Sequence, residues 1–154
     1  MAVSAADDAA AEQLIWHLQG RGYVVRTLLE QERTGRIATV RLDRDTERAI
    51  YVDLLFASSG IEAEIVRDAD ELEILDDVWI RVASRAHLIA MKVLARDDRN
   101  RPQDWDDLRA LLIDASEKDV QMTEEALDLI ALRGFNRGRD LRSDFVRAIT
   151  DVGR

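Results

Sequence analysis

Cysteine is absent from this chain, so there is no disulfide framework, no thiolate zinc site and no cysteine nucleophile. That fits a reducing compartment, and a cytoplasmic location is the expectation. Proline occurs once and no low-complexity linker interrupts the chain. With 47% hydrophobic and 34% charged residues, the composition is that of a folding globular protein rather than a disordered one. Long apolar runs are also missing. The longest, from Ala49 to Ala57, is broken by Asp53 and falls well short of the roughly 20 residues of a membrane helix. The first residues lack a basic start followed by an apolar stretch, so no signal peptide is read there. Net positive charge is lacking too. A formal charge of -9 opposes nonspecific attraction to nucleic acid or anionic membranes, so any nucleic-acid contact must be local. The arginines near the C-terminus, Arg133, Arg137, Arg139, Arg142 and Arg147, are the place for one, unless they form a solvated helix face.

The 154 residues suit one domain, with an α/β part over 1–83 and a helical part over 84–154. Ala11, Leu14, Ile15 and Leu18 recur at helical spacing between Ala5 and Gln19, with Ser4 as cap and Gly20 and Gly22 beyond the end. Tyr23–Leu29 and Arg36–Leu42 predict a hairpin around the turn at 32–35. Ala49–Phe56 predicts a central strand covered on both sides. A short helix over Ile61–Asp68 precedes a second hairpin, 72–75 and 78–82, turning at Asp76 and Asp77. Helices follow over Ser84–Arg96, Pro102–Ala115, Thr123–Arg133 and Asp140–Val152, with Pro102 in a first turn, Thr123 as N-cap and Gly134 as stop. The expected fold is α+β, a mixed sheet covered by helices with a helical C-terminal half.

Asp53 is the most informative position. Alternation puts it on a face with Tyr51 and Leu55. A carboxylate buried there costs several kcal/mol unless a cation, a metal or several donors stand beside it. The structural alternative is an aspartate paired with one arginine. Lys92 sits three and four positions from Leu88, Ile89 and Ala95, so it either snorkels to solvent or faces a phosphate or a carboxylate. Asp104 and Asp107 open a helix whose apolar face is Leu108, Leu111, Leu112 and Ala115, and Asp104 extends that face. First-turn acids ordinarily answer the helix dipole. His17 and His87 do not suggest a metal site, and neither a glycine-rich phosphate loop nor a nucleophile elbow occurs.

The segments VDLLFASSG, ASRAHLIAMKVLARDDRNRPQDWDDLRALL and RGFNRGRDL, in that order, resemble the bacterial nucleotidyltransferase-like proteins of the AbiEii toxin group, within the DNA polymerase beta-like superfamily. The resemblance spans about Ala2 to Leu141, and its most specific part is the lysine helix followed by R-P-x-D-x-x-D. It implies a nucleotidyltransferase-like fold, a toxin-antitoxin setting with an antitoxin partner, and Mg2+-dependent transfer of a nucleotidyl group from a bound nucleoside triphosphate to an RNA or protein acceptor. Three carboxylates would hold the metal, two from a D-x-D strand after a Gly-Gly turn and the third matching Asp53. Lys92 matches the lysine expected near the triphosphate, and Asp104 and Asp107 match the acidic motif beyond it, with a structural or a catalytic role.

Neither the Gly-Gly turn nor D-x-D occurs before Asp53. Asp7 and Asp8 are adjacent, so their side chains would diverge on a strand and sit about 100 degrees apart on a helix. The expectation is a chain that begins just after the missing motif and is inactive or very weak as it stands. An unpaired sheet edge left there would favour a homodimer. The rival expectation is a non-catalytic binding or antitoxin-like module in which Asp53 and Lys92 form a structural ion pair.

Overall fold

A computed structural model describes residues 7–31, 35–44, 50–96 and 103–153. Among these the architecture is α+β, with six helices and two small antiparallel sheets. None of the helices is long and apolar enough to cross a membrane. The chain divides into two compact units, residues 1–58 with 62–67, and residues 59–61 with 68–154. The second hairpin therefore groups with the helical part, which moves the division upstream of residue 83.

In the first unit, helix α1 (Asp8–Gln19) packs on the antiparallel sheet β1 (Tyr23–Glu30), β2 (Ile37–Arg44) and β3 (Ile50–Leu55). Ala11 and Ile15 of α1 join Ile37, Val40, Leu42, Leu54 and Phe56 in one core. The cap of α1 is Asp7, whose Oδ1 accepts from the amide of Ala10 at 2.9 Å. The expected start at Ala5 and cap at Ser4 fall outside the described residues. An aspartate three residues before a free amide does the same work as serine there. Helix α2 (Glu62–Arg67) is short and buries Ile65.

The sheet order β1-β2-β3 makes β2 the central strand, not β3. Tyr51 on β3 is exposed, whereas Val40 and Leu42 on β2 are fully buried. The apolar run of β3 concealed this because a tyrosine tolerates solvent as well as a core. All described strand pairs are antiparallel, so the single mixed sheet expected from sequence is replaced by two separate sheets.

The second unit holds the hairpin β4 (Asp70–Leu75) and β5 (Val78–Val82) and four helices, α3 (Arg85–Ala95), α4 (Gln103–Ile113), α5 (Glu117–Leu132) and α6 (Leu141–Asp151). Helix α3 packs against α4, α5 and α6. Its buried residues Ala86, Ile89, Ala90, Val93 and Leu94 follow the helical repeat. Ser84, expected as the first helical residue, is the cap of α3, and the cap of α5 is Ser116 rather than Thr123. Ser116 and Asp119 form a reciprocal capping box that starts the helix earlier. Thr123 is instead buried within α5, its hydroxyl donating to the carbonyls of Asp119 at 2.7 Å and Ala86 at 3.2 Å. At the other end Gly134, at φ +77°, closes α5 as predicted, with the amides of Gly134 and Phe135 donating to Ala131 and Ile130. Pro102 lies outside the described residues.

Candidate functional site

Within the first unit, Asp53 stands directly opposite Arg41 across β2 and β3. Arg41 Nε and Nη2 donate to the two carboxylate oxygens, each at 2.7 Å, a bidentate fork. The Asp53 side chain is 41% exposed, so the burial expected of it is corrected to a position at the surface, and of the partners left open by the sequence a single arginine is the one observed. The hydrogen bond from Arg41 holds the Asp53 carboxyl below its ordinary range, and the same contact raises the Arg41 guanidinium. Arg41 was not legible as the partner, because the pairing depends on strand register twelve residues away.

Two residues beyond Arg41 on β2, Asp43 is buried, and Oδ2 accepts from Arg26 Nε at 3.0 Å and Nη2 at 2.7 Å. Asp7 and Asp8 are also occupied structurally. Asp7 caps α1, while Asp8 Oδ1 accepts from the amide of Ile37 at 3.2 Å and from Arg36 Nε at 3.4 Å. Neither substitutes for a D-x-D pair.

Within the second unit, the lysine helix and the acidic motif meet. Lys92 on α3 donates from Nζ to Asp107 Oδ2 at 2.6 Å and to Asp104 Oδ1 at 3.4 Å, both on α4. The Lys92 side chain is 31% exposed and that of Asp104 only 4%. Of the two open possibilities for Lys92, a carboxylate partner is the one observed. Asp107 raises the lysine above its ordinary value, with Asp104 adding to it against the opposing effect of burial. Beside this triad, Arg96 lies over the ring of Trp105, 4.6 Å from its centre.

The segment RGFNRGRDL is a junction. Arg133 donates to the carbonyl of Gly60, and the Phe135 ring lies against that glycine. Arg139 donates from Nη1 to the carbonyls of Leu94 at 3.1 Å and Arg96 at 3.3 Å, satisfying the end of α3. Its Nε and Nη2 reach Asp144 Oδ2 on α6 at 3.0 and 2.6 Å. Asp140 caps α6. Arg142 pairs with Glu124 at 2.9 Å and Asp128 at 3.2 Å, and Arg147 pairs with Asp144. Four of the C-terminal arginines that offered a local RNA contact thus make contacts within the chain, although only Arg139 is half-buried and Arg133, Arg137, Arg142 and Arg147 remain exposed.

His87 is buried with Nδ1 3.0 Å from the Ser84 hydroxyl, a helix-start contact rather than a ligand geometry. Among the described residues there is no group of three or more His, Asp or Glu side chains that could hold a metal ion. With both Asp53 oxygens engaged by Arg41, the described residues do not fit the three-carboxylate magnesium site that the resemblance implies. Compared with known families and curated proteins, the chain matches no family model and no curated protein.

Proposed function

We propose that this chain carries a nucleotidyltransferase-like scaffold of the AbiEii toxin type and that its described residues act as a non-catalytic binding module. The observation that supports this most is the closed state of the two matched positions. Asp53 is neutralised by Arg41, and Lys92 by Asp104 and Asp107. A carboxylate forked by a guanidinium has one lone pair on each oxygen and its charge already answered, which weakens it as a magnesium ligand, and a lysine between two carboxylates has its charge answered in the same way.

The test is a thermal-shift series with magnesium and each nucleoside triphosphate, on the chain, on Arg41→Ala and on Asp53→Asn. Under the proposal none of the three gains stability from magnesium and nucleotide, and Asp53→Asn lowers Tm because it leaves Arg41 without its carboxylate. If magnesium with one triphosphate raises Tm, and Asp53→Asn abolishes that rise while raising Tm on its own, the metal-dependent transferase reading is the correct one.

A further inference from the structure

The hairpin of β4 and β5 is amphipathic, yet its apolar face is open. Leu72 and Ile80 are register partners and remain 48% and 41% exposed, with Val78 on the same face and also exposed. The opposite face carries the pairs Glu71 with Arg81 and Glu73 with Trp79. Apart from Trp79 and the register shift between Glu73 and Leu75, this alternation is the pattern of a sheet with one face buried, and a lone two-stranded hairpin in water is marginal. Asp70, Glu71 and Glu73 lie on β4 and Asp76 and Asp77 in the turn, against Arg81 as the sole cation between residues 70 and 82. The outer edge of β4 has no ladder partner among the described residues.

We propose that the outer edge of β4 receives an extended segment of a protein partner in which apolar residues alternate with lysine or arginine. An added strand must keep the side-chain period of two. Its apolar residues then lie beside Leu72 and extend the face with Ile80, while its cations fall opposite Glu71 and Glu73. A second copy of this chain fits poorly, because antiparallel pairing of β4 with itself would set those glutamates against each other. The inference stands independently of the nucleotidyltransferase reading, since it uses none of the residues assigned there.

Two dye-labelled octapeptides test it by fluorescence anisotropy, one alternating Ile and Lys and the other Ile and Glu. The Ile/Lys peptide is expected to bind at least about tenfold more tightly, with the preference reversed by Glu71→Lys/Glu73→Lys. Leu72→Thr should weaken both, and the reversal, being a gain of binding, cannot arise from unfolding. Equal affinity for the two peptides, no reversal, or affinities untouched by Leu72→Thr overturns the proposal. So does amide exchange over residues 70–75 as slow as that of α3 in the chain alone, or a dimer that dissociates on Leu72→Thr, since either shows the edge already covered.

Discussion

Replacing Gly60 with alanine perturbs the loop after β3 at a point where two separate costs can be measured. The residue has φ +77°, and a Cβ built there would stand 2.5, 2.8 and 3.0 Å from Cδ2, Cε2 and Cγ of Phe135. The left-handed backbone alone costs an alanine about 1–2 kcal/mol. Forcing the ring aside adds about 1–3 kcal/mol, as overpacking does, with the lower part of that range favoured because Phe135 is half-buried. Gly60→Ala should therefore destabilise by about 2–5 kcal/mol, a large share of the roughly 5–15 kcal/mol typical of a folded protein. Gly138 supplies the control, since it has φ +70° and nothing within 4 Å of a built Cβ. Its alanine variant should show only the backbone cost. Urea unfolding followed by circular dichroism reads both, and a cycle with Phe135→Ala isolates the clash. If Gly60→Ala costs no more than Gly138→Ala, or if Phe135→Ala does not relieve it, the close approach of ring and loop is not what fixes this position.

Two further perturbations address the charged groups. Lys92→Met removes the cation beside the buried Asp104 carboxylate and should destabilise by about 1–3 kcal/mol, below the full cost of breaking a buried pair because Lys92 and Asp107 are partly exposed. Lys92→Met/Asp104→Asn should recover most of that in the same urea series, and failure to recover would assign the loss to packing instead. For pH, Asp53 and Asp119 have carboxyls held below their ordinary value, by Arg41 and by the Ser116 amide and hydroxyl respectively. Their contribution is therefore complete above about pH 4 and is lost as pH falls through the lowered values. Lys92 behaves in the opposite sense, its contribution intact below about pH 10.4 and lost as pH rises through its raised value. Melting temperature against pH should thus fall at both extremes, with a shallower acid limb in Asp53→Asn and a shallower alkaline limb in Lys92→Met.

Local chemistry made much of the fold legible. The helix expected over Ser84–Arg96 is observed over Arg85–Ala95 and the stop at Gly134 lies where the sequence puts it, both being set by residues close together in the chain. Thr123 misled because a buried threonine in a helix can bond back to the carbonyl of Asp119, whereas Ser116 and Asp119 already had the spacing of a capping box. The candidate site was harder to read, since its decisive contacts are nonlocal. Asp104 on the apolar face and the partly buried stem of Lys92 were visible separately, but their meeting depends on how α3 packs on α4. Asp53 drew attention as an isolated charge in an apolar strand, and only the register of β2 and β3 shows that Arg41 answers it. Arg139, which joins the end of α3 to α6, stood out only as one of an arginine cluster and as part of the segment RGFNRGRDL, neither of which points to its partners.

The path of the chain near Gly60 bears on how this protein can be divided. The chain passes from the first unit to the second after Ser58, returns after Ile61, and leaves again after Arg67. A cut after Ser58 takes α2 from the first unit, and a cut after Arg67 takes Gly60 and the fully buried Ile61 from the second. No single break yields two whole halves. Limited proteolysis between Ile61 and Glu62 should therefore damage both units together, whereas cleavage after Ser58 or after Arg67 should leave one of them whole, and a swap of either half between homologous proteins would have to carry residues 59–61 with the helical part, as an insertion rather than a simple splice.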